Sequence, residues 1–177
     1  MEAEAVQPSD ALHRAIIVGY GPVGQTVTHL VRENGIEPTV IEMNLDTIRR
    51  LRNQGISAIY GDARHRDTLT SAGVHTVGNF ILSPAGLHGC EEIIRLAREL
   101  NPSIRILARS TYLREVVTLR HAGAKTVLSD EGEVALAFTV AILRSLGATP
   151  EQIDRERERV HSDLFGHRTK GGYHDSE

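Results

Sequence analysis

Cysteine is nearly absent: Cys90 is the only one in 177 residues. One thiol can form neither an internal disulfide nor a cysteine-based zinc site, and it fits a reducing compartment. Cys90 therefore reads as a small side chain under a helix. Long apolar runs are missing too. The best of them, Val134 to Leu143, falls short of the roughly 20 residues needed to cross a bilayer. The acidic start Met1-Glu2-Ala3-Glu4 is no signal peptide. The expectation is a soluble chain that makes no direct membrane insertion. No sign of charge dominates, and a formal net charge of -3 gives no electrostatic grip on nucleic acid or on anionic lipid. Catalytic signatures are lacking as well. There is no G-x-S-x-G elbow and no G-x-x-x-x-G-K-[ST] loop, so acyl transfer and P-loop hydrolysis have no support. The nine histidines form no H-x-x-x-H or comparable ligand cluster, and no metal site is expected.

What is present is an alternation. With 40% hydrophobic and 24% charged residues, the composition suits one globular domain, or one domain plus a short appendage. Short runs rich in β-branched residues predict strands at Ala15–Val18, Thr39–Ile41, Ala58–Tyr60, Val77–Leu82, Ile104–Ala108 and Thr126–Leu128. Amphipathic stretches between them predict helices at Val23–Asn34, Leu45–Gln54, Asp67–Ala72, Leu87–Leu100, Tyr112–His121 and Glu131–Leu146. Stop signals such as Asn34-Gly35, Gln54-Gly55 and Ala122-Gly123 close several of these helices. Parallel strands need a crossover and right-handed crossovers dominate. The pattern therefore implies an α/β fold, a Rossmann-like doubly wound parallel sheet of six strands with helices on both faces. Residues 1–12 read as a linker or leader, 13–147 as the Rossmann-like domain, and 148–177 as a charged C-terminal helix and tail. In that last segment Glu151–Val160 reads first as a solvated helix, with a partner-binding helix as the alternative.

The chemistry concentrates where the strands end. Ile16-Ile17-Val18-Gly19-Tyr20-Gly21-Pro22-Val23-Gly24 is a G-x-G-x-x-G turn between a strand and a helix. Gly19 permits a tight reversal, Gly21 a close approach of backbone to phosphate, and Gly24 close packing of helix on strand. The helix behind it offers free N–H groups to an anion. Glu42, followed by Met43, stands at the end of the second strand, near the roughly 20-residue separation expected of an acid that accepts from ribose hydroxyls. A carboxylate there repels a 2′-phosphate, which disfavours NADP relative to NAD(H), AMP, ADP or ATP. After the third strand come Gly61-Asp62-Ala63, where Asp62 either accepts from an amine on the adenine side or fixes the loop as an Asx-turn. Ser83 begins a small-residue loop over the same crevice. Arg109, a cation at a strand end, is read as a phosphate contact, with pairing to Asp62 or Glu131 as the structural alternative. His65 is a possible neighbour of the site.

These motifs, together with Ala72-Gly73-Val74 and Ala122-Gly123-Ala124-Lys125-Thr126-Val127, resemble the RCK or KTN (TrkA-N type) domain over about His13 to Leu146. The later runs Glu131-Gly132-Glu133-Val134-Ala135-Leu136-Ala137 and Leu146-Gly147-Ala148-Thr149-Pro150-Glu151-Gln152 are similar to the tail of Kef-type cation:proton antiporters. The resemblance implies a regulatory domain, not an enzyme, on the cytoplasmic face of the inner membrane. It would bind an adenine nucleotide, form a homodimer through helices beyond the sheet, and gate potassium or sodium/proton antiport by a membrane transport domain. Carried over residue by residue, Gly19, Gly21 and Gly24 would make the phosphate turn, Glu42 would take the ribose, Asp62 the adenosine side and Arg109 a phosphate or interdomain contact. Pro22 departs from the polar or basic residue often found at its place.

Two other classes compete. A small NAD-dependent oxidoreductase subunit would need a proton donor beside the nicotinamide, and only His65, Tyr112 or Ser83 offer one, without a recognisable spacing. With the sheet complete by about Leu128, little chain is left for a substrate pocket. A dimerisation scaffold with a vestigial site would leave the crevice empty and indifferent to nucleotide.

Overall fold

A computed structural model describes residues 11–166 of the chain. Six parallel strands form one sheet: β1 (Arg14–Val18), β2 (Glu37–Glu42), β3 (Ser57–Tyr60), β4 (Asn79–Leu82), β5 (Arg105–Ser110) and β6 (Thr126–Ser129). They lie in the order β3-β2-β1-β4-β5-β6. β1 is therefore central, and the direction of winding reverses between β1 and β4, the place where open α/β sheets leave a crevice at their carboxyl ends. Crossovers are made by α1 (Pro22–Glu33), α2 (Leu45–Asn53), α3 (Arg66–Ser71) with a short 3-10 turn at Val74–Thr76, α4 (Cys90–Leu100) and α5 (Glu115–Ala122). Two further helices follow, α6 (Asp130–Ser145) and α7 (Pro150–Phe165).

The alternation of β1 explains the two-sided core. Ile16 and Val18 point to one face and pack with Ile41, Phe80, Leu82, Ile93 and Ile106. Ile17 points to the other face, with Val40, Ile48, Leu51 and Ala58. A strand covered on both sides has to be apolar at every position, which is why Ala15–Val18 carries no polar residue. The expected strands and helices are all found, within a few residues at their ends. Two boundaries differ for a physical reason. α4 begins at Cys90, three residues after the expected Leu87, because Gly86 (φ +63°) and Gly89 (φ +77°) hold the intervening loop in the left-handed region. α7 runs to Phe165, beyond the expected Val160, because its end is packed: Phe165 lies against Gly132 at the start of α6, and Arg120 Nη1 donates to its carbonyl at 2.9 Å.

That packing revises the reading of Glu151–Val160 as a merely solvated helix. Ile153 and Phe165 are buried, and the solvated charges occupy the rest of the helix surface. Thr149 caps α7 in a reciprocal box with Gln152. Of the expected linker, residues 1–10 lie outside the described residues. Ala11 and Leu12 are tied to the sheet instead, through Gly78 N to Ala11 O at 2.7 Å and Asn79 Nδ2 to Leu12 O at 3.2 Å. Most of the expected frayed tail, 167–177, also lies outside the described residues. Among the described residues no helix is long and apolar enough to cross a membrane.

Candidate functional site

The turn after β1 is built by exclusion. At Gly19 (φ +83°) a β-carbon would stand 2.7 Å from Pro84 Cγ and 3.2 Å from Ser83 Oγ, so only glycine lets the loop after β4 close over the end of β1. At Gly24 a β-carbon would run into the carbonyl of Gly19 and stand 2.9 Å from Ser83 Oγ, which is the close approach of α1 to β1 that the motif predicts. Ser83, buried, shares its hydroxyl proton between Val18 O at 2.9 Å and Gly19 O at 3.2 Å. It pins the turn rather than facing the cleft. Gly21 differs from both: nothing in the protein lies within 4 Å of where its β-carbon would be. Its backbone N-caps α1 and opens on free space.

Glu42 closes the arrangement. Its Oε2 accepts from Tyr20 N at 2.9 Å, and its Oε1 accepts from Met43 N at 2.8 Å and Asn44 N at 3.0 Å. The carboxylate thus ties the glycine turn to the loop after β2. Gln25 Nε2 donates to Tyr20 O at 3.1 Å from the other side, and the Tyr20 ring is buried among Val40, Ile48 and Leu51. A carboxylate has about four acceptor positions. Three backbone donors leave one open on Oε2.

These groups line a cleft of about 220 Å³ at the switch point. It brings together Gly19, Tyr20, Gly21, Glu42, Met43, Asp62 and Ala63, with Pro84, Leu87 and Ile93 completing the lining. Of the other expected residues, Pro22 and Val23 open α1, Gly24 and Ser83 support the turn from behind, and none of these four lines the cleft. His65 does not line it either; it precedes α3, with its backbone N donating to Asp62 O at 3.1 Å.

For Arg109 the structural alternative is corrected in its partner, which is neither Asp62 nor Glu131, and the residue does not line this cleft. Its Nε and Nη2 grip the two oxygens of Asp130 at 2.7 and 2.8 Å, and Nη1 donates to Ser83 O at 3.3 Å. Glu131 is engaged elsewhere, accepting from Leu113 N at 2.9 Å. Arg109 faces a neighbouring, larger hollow of about 720 Å³ bounded by residues 86–92, Arg95, Arg114 and the first turns of α5. Cys90 lies on its wall, its thiol pushed up to about 11 by burial first and then by Glu115 and Glu91.

At Asp62 the Asx-turn alternative is present, its Oδ1 accepting from Arg64 N at 2.9 Å, and the residue is part of the cleft lining. The Arg64 side chain, which the sequence reading passed over, holds the same carboxylate with Nε at 3.0 and 3.1 Å and Nη2 at 2.6 Å. The Arg64 hydrogen bonds draw the Asp62 carboxyl down to about 2. A signal existed: an arginine two residues after an Asx-turn aspartate is within reach of it.

A central strand, a glycine turn against the next-but-two strand end and a cleft at the winding reversal define a Rossmann-like α/β domain. The chain belongs to the TrkA-N domain family, whose pattern matches residues 15–130. It is 32% identical over 135 residues to the putative cation/proton antiporter YbaL of Escherichia coli, covering 76% of this chain and 24% of that protein. The crystal structure of the YbaL TrkA-N domain superposes with a TM-score of 0.69 at 31% identity, over 72% of this chain and 94% of that one. The glutathione-regulated potassium-efflux protein KefC of Escherichia coli is 31% identical over 157 residues, 89% of this chain and 25% of KefC. The AMP-bound Kef C-terminal domain of Shewanella denitrificans shares the fold with a TM-score of 0.70 at 22% identity, over 86% of this chain and 95% of that one. The chain spans about a quarter of the length of the curated relatives it matches.

Proposed function

We propose that this domain binds an adenine nucleotide, NAD(H) or one of AMP, ADP and ATP, in the 220 Å³ cleft and regulates monovalent cation/proton antiport by a membrane transport domain on whose cytoplasmic face it sits. The observation that carries the reading is the pairing of Gly21 with Glu42. One side of the turn is open backbone at a helix N-terminus with nothing of the protein against it, suited to a phosphate. The other is a carboxylate held by three backbone donors with an acceptor position to spare, suited to a ribose hydroxyl. The same fixed charge disfavours the 2′-phosphate of NADP. The antiporter relatives support the transport half of the reading. We read the role as regulatory rather than catalytic on the strength of the antiporter relatives.

A homodimer forms part of the reading. Val134, Phe138, Ile142 and Leu146 recur every fourth residue along α6 and its C-terminus and are 54, 63, 53 and 76% exposed. Side chains four apart on a helix stand in one row, and a row of large apolar groups in water calls for a partner. A second copy presenting the same row about a twofold axis supplies one. Calorimetry with NAD, NADH, AMP, ADP and ATP tests the ligand; no heat from any of them at millimolar concentration refutes the nucleotide reading. Turnover of NADH with a carbonyl compound would favour an oxidoreductase instead.

A further inference from the structure

Asp62 lines the proposed nucleotide cleft, yet one residue already engages both of its oxygens: Arg64 donates its backbone N–H to Oδ1, shares its Nε–H between Oδ1 and Oδ2, and donates from Nη2 to Oδ2. Three donors on about four acceptor positions crowd the carboxylate from one side. A base amine or ribose hydroxyl that donates to Asp62 therefore competes with the Arg64 guanidinium for it. Where the arm can go is visible in the structure. Its stem crosses from the loop after β3 to the residue before α4. A β-carbon on Gly89 would stand 2.8 Å from Arg64 Cδ, 3.4 Å from Cγ and 3.4 Å from Glu92 Oε2. Glu92, in the first turn of α4, is thus beside the arm and attracts the guanidinium. Arg64 itself is half exposed, so nothing packed over it prevents the movement.

We propose that Arg64 is a ligand-displaced latch: it holds Asp62 and rests on Gly89 while the cleft is empty, and moves toward Glu92 when a nucleotide takes Asp62. Gly86, Leu87, His88 and Gly89 form the partition between the two hollows, and Leu87 belongs to both. Gly86 and Gly89, both at positive φ, are the points at which that partition is held by turn geometry rather than by a helix. Release of Arg64 removes the stem that braces Gly89 and transmits occupancy of the first hollow to the shape of the second. The proposal rests on the nucleotide reading only for what triggers the latch, not for the existence of the brace.

Cys90, the residue after Gly89 and the sole cysteine of the chain, makes the test site-specific. The rate of Cys90 labelling by a thiol reagent is measured on the full chain, in the wild type and in Arg64→Ala, each with no nucleotide, with AMP and with NAD. Without nucleotide, the unbraced variant is expected to label severalfold faster than the wild type. Equal rates overturn the brace whether or not any nucleotide binds. In the wild type a nucleotide that binds by calorimetry accelerates labelling; in Arg64→Ala it still binds but leaves the rate unchanged. An equal acceleration in both proteins, or binding without acceleration in the wild type, overturns the latch. With its competitor gone, Asp62 is expected to give Arg64→Ala an affinity about three- to tenfold tighter, the scale of one net hydrogen bond. Unchanged or weaker affinity refutes the competition. Glu92→Gln provides a second arm: it keeps the Arg64–Asp62 contact and lowers the nucleotide-driven acceleration, and a full response in it excludes Glu92 as the landing site. Absence of binding by either nucleotide in either protein counts against the nucleotide reading alone, and the ligand-free rates still decide the brace.

Discussion

Replacement of Glu42 by alanine separates the two jobs its carboxylate holds. Of the three backbone donors it satisfies, Met43 N and Asn44 N lie in an exposed loop, where water replaces the lost acceptor at little cost. Tyr20 N is different, since that residue is buried and its carbonyl is held from the other side by Gln25. A buried donor left unpaired costs about 1–3 kcal/mol. Taking about 2 kcal/mol, and about 2–4 °C per kcal/mol for a domain of this size, Glu42→Ala lowers the melting temperature by about 4–8 °C. Nucleotide affinity falls by about 1.5–3 kcal/mol, the value of a hydrogen bond to a charged group, which is roughly 10- to 150-fold in Kd. Discrimination against NADP falls with it, because the repelling charge is gone. Differential scanning calorimetry and titration calorimetry on the same samples read both effects. An unchanged melting temperature refutes the bridge from the glycine turn to the loop after β2. An unchanged Kd with a lowered melting temperature makes Glu42 a structural residue only.

The two inner glycines of the turn are expected to fail in opposite ways. Gly21→Ala leaves the melting temperature unaltered, since its β-carbon meets nothing, but weakens nucleotide binding; Gly24→Ala is strained against the Gly19 carbonyl and Ser83 Oγ and loses about 1–3 kcal/mol of stability by denaturant titration. Asp62 sets an acid limb. Its carboxyl is lowered from an ordinary value near 3.8 to about 2 by Arg64, so between those values the unfolded chain binds the extra proton. Its stabilising contribution is therefore complete above about pH 5 and is lost as pH falls through about 2. Urea midpoints between pH 2 and 6 should flatten in Asp62→Asn; an equally steep profile would move the acid limb elsewhere. Phe138→Asp, at a 63% exposed position, should leave folding within about 0.5 kcal/mol and convert a dimer to a monomer by light scattering; a dimer that persists places the interface off α6.

Most of the fold was legible because each signal was local. The β-branched runs between glycine stops gave all six strands, and the spacing of the glycines in the first turn anticipated the tight reversal at Gly19 and the close packing at Gly24, though not the contact of Gly19 with Pro84. The start of α4 was not legible in this way. Leu87 continues an apolar period, and only the left-handed backbone at Gly86 and Gly89 shows that the period begins before the helix does. The place of Glu42 could be read from its spacing, but its bridge could not, since a backbone N–H such as that of Tyr20 carries no mark in the sequence. The acid partner of Arg109 was hidden for a related reason. Which acid meets it is fixed by Ser129 capping α6, which makes Asp130 rather than Glu131 the residue beside β5. Arg64 was missed because a surface arginine in a loop has no period to betray it; its role comes from one neighbour two residues away and another in the next crossover.

The hairpin of α6 and α7 has a mechanical consequence. Phe165 sits on Gly132, so the last turn of the second helix is fastened to the first turn of the one before it, and Arg120 of α5 holds the same point from the body of the domain. Both arms of the hairpin are thereby anchored at one end and stand free at the other, where Leu146 is exposed. A helix the length of α6 reaches about 24 Å at 1.5 Å per residue, so a rotation of about 10° about that anchor sweeps its tip by about 4 Å. The pair has the proportions of a lever with its fulcrum beside the sheet, so a displacement at Gly132 too small to disturb the core would be magnified at its tip.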